Sequence, residues 1–61
     1  MDRADLYVDA EGDYRWVRTS PNGDIVGAST EGYERRIDAV ENYGRGNAGP
    51  DAPKLEEGKL A

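Results

Sequence analysis

The chain contains no cysteine, no histidine and no phenylalanine. The lack of cysteine excludes disulfides, and without histidine as well the usual ligands of a structural zinc site are missing. No segment approaches the ~20 apolar residues of a membrane-spanning helix. Residues 1–5 lack the apolar core of a signal peptide. We therefore expect a cytoplasmic protein with no membrane association, no metal and no cofactor, and the missing cysteine fits a reducing compartment.

The 61 residues provide room for one small domain. A chain of this size buries only ~60% of its unfolded surface, so a monomer would be marginally stable. Such domains are usually stabilised by disulfides, a metal ion or a partner chain. Because the composition removes the first two, a second copy of the chain is the stabiliser that remains. We expect a two-fold homodimer.

Acidic residues outnumber basic residues by 13 to 8, which gives a net charge of -5. This charge repels phosphate backbones, so nucleic-acid binding is disfavoured. Lysine is scarce, since six of the eight basic residues are arginine. An acidic surface poor in lysine is typical of proteins that stay soluble in concentrated salt. The composition favours a halophilic, haloarchaeal-type origin over an ordinary acidic cytosolic protein.

Three strand candidates alternate with strong turn signals. The strands are predicted over residues 4–9, 14–19 and 25–30 from their apolar alternation and their β-branched and aromatic residues. Residues 10–13 form the first turn, with Gly12 at a positive φ, and residues 20–24 form the second. Gly27 inside the third strand indicates a bulge or a close backbone approach.

Alternation along the second strand separates its side chains into two faces. One face carries Tyr14, Trp16 and Arg18, and the other carries Arg15, Val17 and Thr19. Neither face is purely apolar. This suits a thin sheet with a helix on one side and a partner on the other.

A helix is predicted from about Glu34 to Arg45, because apolar residues recur there at three-residue spacing. Gly44 and Gly46 end the pattern. Residues 47–61 lack periodicity and contain two prolines, so they are predicted to be a flexible, disordered tail. The residues predicted to be buried are Trp16, Val26, Ile37 and Val40.

One combination of residues carries a family resemblance. The residues of this combination are Leu6-Tyr7-Val8-Asp9, Gly12, Tyr14-Arg15-Trp16, Asn22-Gly23-Asp24-Ile25-Val26, Ser29, Glu31-Gly32-Tyr33 and Ala39. With this spacing, residues 5–48 resemble one copy of the YegP-like family, small bacterial and archaeal proteins classed as a domain of unknown function. The chain departs from the family pattern after the tryptophan, where it has Val17-Arg18.

The resemblance implies an α+β fold, a three-stranded antiparallel sheet followed by one α-helix. The domain would cover residues 1–46 and the tail residues 47–61. Many family members carry two tandem copies, so a single-copy chain is expected to pair with itself. The resemblance implies no activity.

Few side chains of this sequence are candidates for catalysis or metal binding. Asp9, Glu11 and Asp13 alternate, but a calcium loop would need glycine and glutamate where Tyr14 and Ser20 stand. We interpret the three acids as solvated hairpin charges, with weak cation binding at high salt left open. Glu31 is the best acid or base, although such a residue more often orders a turn. Serine and threonine hydroxyls lack a histidine base.

We predict no catalytic, cofactor-binding or metal-binding residue. The chain is expected to be a small non-enzymatic accessory module that pairs with itself, with an unknown protein partner also considered. The alternative is a nucleic-acid-binding module that uses an aromatic and arginine face of the sheet, and a small enzyme around Glu31 ranks third. Acids interleaved with the arginines would count against nucleic acid. The candidate interaction or dimer surface is Tyr14, Arg15, Trp16, Arg18 and Tyr33.

Overall fold

The computed structural model describes residues 1–57. The chain forms a four-stranded sheet with one helix packed on one face. In chain order the elements are β1 (Arg3–Val8), β2 (Tyr14–Thr19), β3 (Ile25–Ala28), α1 (Arg36–Gly46) and β4 (Leu55–Glu57). The strand order is β3-β2-β1-β4, antiparallel from β3 to β1, with β4 parallel to β1. The predicted α+β class is confirmed. No helix in residues 1–57 is long and apolar enough to cross a membrane.

Both predicted turns are confirmed. In the first, the Gly12 N–H donates to the Asp9 carbonyl at 3.0 Å, and Gly12 has a φ of 86°. In the second, the Gly23 N–H donates to the Ser20 carbonyl at 2.9 Å, and Gly23 has a φ of 93°. Glycine is favoured at both positions because a Cβ atom strains a left-handed backbone.

Strand β3 contains the irregularity that Gly27 indicates. Arg18 pairs with Gly27 and Thr19 with Ile25, so Val26 is the extra residue of a bulge. Gly27 also allows a close approach, since a Cβ atom there would lie 3.6 Å from the Trp16 ring. The bulge therefore falls on the edge strand directly beside the main core residue.

The prediction of three antiparallel strands is wrong, because β4 adds a fourth strand from within the predicted tail. Leu55 of β4 pairs with Ala4 of β1 and packs against the core formed by Trp16 and Tyr43. The Tyr43 hydroxyl also donates to the Pro53 carbonyl. Residues 55–57 have no periodic sequence pattern, and these tertiary contacts are what hold them as a strand. Residues 58–61 of the predicted tail lie outside the described residues.

The core lies between α1 and strands β1 and β2. Trp16 meets Tyr43 edge to face, with ring centroids 5.1 Å apart and an interplanar angle of 76°. The buried apolar residues are Ala4, Leu6, Trp16, Ala39 and Tyr43. The prediction for Trp16 is confirmed.

Two predicted core residues are exposed in the single chain. Ile37 is 49% exposed, because Ala39 and Tyr43, four positions apart, form the buried stripe of α1 and Ile37 lies away from it. Val26 is 56% exposed because it is the bulge residue of an edge strand. Val40 is half-buried.

The helix is shifted towards the C-terminus relative to the prediction. Arg35 is still extended, with φ -112° and ψ 138°, so α1 begins at Arg36 and not at Glu34. The helix ends at Gly46, and Asn47 is its C-terminal capping residue. Both the backbone N–H and the side-chain amide of Asn47 donate to the Tyr43 carbonyl at 3.0 Å.

Candidate functional site

The predicted division of β2 into two faces is confirmed. Trp16 packs against Tyr43 of α1, which defines the helix face. Arg15 is directed to the other side, where no helix of residues 1–57 lies; we name this side the open face. The five residues of the candidate surface are thus not one surface. Tyr14, Trp16 and Arg18 belong to the helix face of β2, and Arg15 belongs to the open face.

Arg18 joins the N-terminal segment to the end of the helix. Its Nε donates to Asp2 Oδ2 at 2.9 Å, and its Nη1 donates to Asn47 Oδ1 at 3.1 Å. The side chains of Arg18 and Asp2 are only 23% and 25% exposed. The charge of Arg18 is therefore neutralised within the fold.

Arg15 and Asp9 organise the first hairpin. Arg15 Nε donates to Asp9 Oδ2 at 2.6 Å, while Asp9 Oδ1 accepts from the backbone N–H groups of Glu11 (2.9 Å) and Asp13 (3.0 Å). The hydrogen bond from Arg15 lowers the pKa of Asp9, and the N–H of Asp13 lowers it further. The ionised carboxylate stabilises the loop that Gly12 closes.

The three alternating acids of this hairpin lie close together. Carboxylate oxygens of Asp9, Glu11 and Asp13 lie within 4.8 Å of one another. Both oxygens of Asp9 already accept hydrogen bonds from the protein. Asp9 therefore orders the loop, and the three neighbouring carboxylates do not by themselves define a cation site.

Replacement of Asp9 is expected to make stability less dependent on pH. The pKa of Asp9 lies below its ordinary value in the folded chain, so its contribution is complete above the unfolded pKa of about 3.9 and is lost as the pH falls through the folded pKa. Asp9→Asn keeps an oxygen for the two loop N–H groups but removes the charge facing Arg15.

We expect Asp9→Ala to be less stable than Asp9→Asn, and Asp9→Asn less stable than wild type, at neutral pH. Below the folded pKa the gap between Asp9→Asn and wild type should close. Urea unfolding at a series of pH values measures this. A gap between these two proteins that does not change with pH would show that ionisation of Asp9 contributes nothing.

Tyr14 and Tyr33 are joined through their backbones. The Tyr14 N–H donates to the Tyr33 carbonyl at 2.7 Å, and the Tyr33 N–H donates to the Tyr14 carbonyl at 3.0 Å. Burial raises the pKa of the Tyr33 hydroxyl, and the neighbouring Glu31 carboxylate raises it further. At Gly32 the chain passes so close to Asp13 that a Cβ atom would lie 2.5 Å from the Asp13 Cβ. The Glu31-Gly32-Tyr33 corner thus fixes the path of the chain after β3.

Ser29 has a structural role that its sequence position does not reveal. Its N–H donates to the Trp16 carbonyl at 3.0 Å, and its Oγ accepts from the Trp16 N–H at 3.2 Å. Only 9% of Ser29 is exposed. The hydroxyl therefore completes the backbone pairing of Trp16 at the end of β3.

A groove beside Trp16 brings together residues that the sequence analysis does not single out. It has a volume of about 350 Å³ and is lined by Trp16, Ala28, Thr30, Asn42, Arg45 and Gly46. The Trp16 indole N–H donates to Asn42 Oδ1 at 2.8 Å. The sequence signal for the helical part of this groove is the three-residue spacing of Ala39, Asn42 and Arg45, since residues three apart share one side of a helix.

A second groove lies at the opposite edge of the helix face. Its volume is about 470 Å³, and the lining includes Met1, Asp2, Arg18, Asp51 and Lys54. Two carboxylates and two cationic side chains line it, and Asp2 and Arg18 pair with each other. This groove therefore has no strong charge of either sign.

These features define a small α+β domain in which a β1-β2-β3 meander is covered by one helix and completed by a parallel edge strand. A protein from Haloferax volcanii, with a solution structure determined by NMR, has the same fold with a TM-score of 0.66. The two sequences are 35% identical, and the similarity covers 90% of this chain and 93% of that chain. The chain therefore belongs to the same family as the Haloferax volcanii protein.

No family model matches the sequence, and neither does any curated protein. The haloarchaeal source of the related structure agrees with the acidic, lysine-poor composition described above.

Proposed function

We propose that the protein is a non-enzymatic, cytoplasmic interaction module of the YegP-like type that works as a homodimer, with a second copy covering strand β3. The observation that carries this proposal is the exposure of two large apolar side chains on one edge strand. Ile25 is 69% exposed and Val26 is 56% exposed. Exposed apolar residues on an edge strand favour pairing with another chain.

The side chains that β3 places on the open face suit a partner sheet. Ile25 pairs with Thr19 and Ala28 pairs with Val17, so both belong to the open face. On the open face, β3 contributes only the apolar side chains of Ile25 and Ala28, whereas β1 carries the Arg3–Asp5 ion pair at 3.0 Å. A second copy seated on the β3 half would bury apolar groups without stripping water from that ion pair.

The YegP-like motif is consistent with this proposal because its residues have definable roles in the fold. Gly12 and Gly23 occupy the left-handed positions of the two turns. Ser29 pairs with Trp16, and Gly32 permits the close passage beside Asp13. A motif that builds the fold in this way supports membership without implying chemistry.

The competing functions receive less support. Arg15 and Arg18 lie on opposite faces and each pairs with an aspartate, while Trp16 is only 6% exposed. A stacking surface for nucleic acid needs exposed rings and free cations on one face. For an enzyme, neither groove described above is lined by Glu31 or Tyr33.

The dimer proposal is tested by light scattering at molar and at low salt. We expect twice the chain mass at molar salt, and we expect the double variant Ile25→Thr, Val26→Thr to be a folded monomer. Ile37→Thr is the matched control, because Ile37 is 49% exposed but lies on the helix. A wild-type monomer at both salts, or equal effects of the two variants, would contradict an interface at β3.

A further inference from the structure

We propose that the turn between β2 and β3 is a site of spontaneous deamidation, at which Asn22 converts to aspartate and isoaspartate through a cyclic imide formed with the backbone nitrogen of Gly23. These two residues are the only Asn-Gly pair of the chain. Both are exposed, so water reaches the reacting atoms. This inference does not depend on the proposed dimer.

The reaction joins two groups that are adjacent in the chain. The Gly23 backbone nitrogen bonds to the Asn22 Cγ atom, and its proton passes through water to the amide nitrogen, which leaves as ammonia when the Cγ–Nδ2 bond breaks. Water then opens the imide at one of its two carbonyl carbons. Addition at Cγ gives aspartate with the ordinary backbone. Addition at the backbone carbonyl carbon gives isoaspartate, in which the chain runs through Cβ and Cγ.

Gly23 leaves the attacking nitrogen uncovered. Glycine has no Cβ atom to stand between its own nitrogen and the preceding side chain. A Cβ atom built at Gly23 would meet no atom within 4 Å, so neighbouring parts of the fold do not cover this position either. The Asn22 side chain can therefore swing towards the nitrogen of Gly23 without a steric obstacle from the rest of the chain.

The other two asparagines lack this freedom. Asn42 lies within α1, and its Oδ1 accepts from the Trp16 indole N–H at 2.8 Å. The side-chain amide of Asn47 is hydrogen-bonded through both its oxygen and its nitrogen. Asn22 takes part in none of the side-chain hydrogen bonds formed within residues 1–57. Deamidation should therefore be selective for Asn22.

The hydrogen bonds of the turn control the rate. The Gly23 N–H donates to the Ser20 carbonyl at 2.9 Å, and this bond must break before the nitrogen can attack. Two further bonds close the turn: the Ser20 N–H donates to the Asp24 carbonyl at 2.8 Å, and the Asp24 N–H donates to Ser20 Oγ at 3.3 Å. Asn22 therefore reacts from the opened turn, and it reacts more slowly in the folded chain than in the unfolded chain.

Both products alter the connection between β2 and β3. Each replaces a neutral amide by a carboxylate two residues from Asp24, on a chain whose net charge is already -5. Isoaspartate also adds one carbon atom to the backbone of the turn. This extra atom displaces Gly23 from the Ser20 carbonyl, and it should loosen the pairing of Thr19 with Ile25 at the start of β3.

The test is peptide mapping of the full chain by mass spectrometry after incubation at mildly alkaline pH, which favours removal of the Gly23 proton. Trypsin places Asn22, Asn42 and Asn47 in three separate peptides, residues 19–35, 37–45 and 46–54. We expect both aspartate and isoaspartate forms of the first peptide before either of the other two peptides converts. The same chain unfolded in guanidinium chloride should convert about five- to tenfold faster at Asn22, because the hydrogen bond of Gly23 is lost.

One pair of variants examines the role of the turn. Ser20→Ala removes the hydroxyl that accepts from the Asp24 N–H, and it should speed conversion of Asn22 in the folded chain about two- to fivefold. Thr30→Ala is the matched control, because it removes an exposed hydroxyl from the same peptide but outside the turn, and it should leave the rate unchanged. Circular dichroism shows whether each variant is folded.

Four results would overturn the proposal. The first is a folded chain that keeps Asn22 intact while the unfolded chain converts completely. The second is conversion of Asn42 or Asn47 as fast as that of Asn22. The third is equal rates in the folded and unfolded chains, which would leave no role for the turn. The fourth is aspartate without isoaspartate, which would indicate direct hydrolysis of the side chain and no imide.

Discussion

Trp16→Ala is expected to lower the free energy of unfolding by about 3–5 kcal/mol, the range found for the loss of a large buried aromatic side chain. The tryptophan is 6% exposed, packs against Tyr43 and hydrogen-bonds to Asn42. The total stability of a chain of 61 residues is on the order of 3–9 kcal/mol. The variant should therefore be largely unfolded.

Far-ultraviolet circular dichroism during urea unfolding measures this loss without needing the tryptophan. Trp16→Phe keeps a ring but loses the bond to Asn42, and it should fall between wild type and Trp16→Ala. Val8→Ala is the control, because Val8 lies on the same sheet and is 42% exposed. A Trp16→Ala protein as stable as Val8→Ala would show that Trp16 does not anchor the core.

The second large effect concerns two glycines for which alanine should act in opposite directions. In Gly32→Ala the new Cβ would lie 2.5 Å from the Asp13 Cβ, so the chain must shift. We expect a loss of about 1–3 kcal/mol, as for other overpacked sites. In Gly44→Ala the new Cβ meets nothing within 4 Å on helix α1, and a gain of about 0.5–1 kcal/mol is expected.

The same unfolding measurement decides between these signs. Gly44→Ala serves as the matched control, since both variants lose the same backbone freedom in the unfolded chain. If Gly32→Ala were as stable as wild type, Asp13 could move aside without loss. In that case the Glu31-Gly32-Tyr33 corner would not fix the chain path.

The parts of the fold that depend on local chemistry could be predicted from the sequence. Gly12 and Gly23 mark turns because few other residues accept a left-handed backbone. The two faces of β2 follow from strict alternation, which places Trp16 opposite Arg15. Such signals lie within a few residues of the feature that they predict.

The parts that depend on distant contacts could not be predicted. Within the described residues strand β4 has three members, and its partner β1 lies at the other end of the described chain. The exposure of Ile37 depends on whether the helix turns Ala39 or Ile37 towards the sheet, and the three-residue spacing was compatible with either. The groove beside Trp16 is lined by residues brought together by tertiary contacts, including the hydrogen bond from Trp16 to Asn42, which no local sequence pattern records.

The pairing of β1 with β4 affects how the nascent chain can fold. The β1–β2 hairpin can form early, but the other edge of β1 has no partner until Leu55 to Glu57 have been synthesised. Until these three residues are available, the edge of β1 next to Ala4 and Leu6 has no strand to cover it. Neighbouring nascent chains or a chaperone can occupy that edge first, so closure by β4 is the late step at which productive folding and aggregation compete.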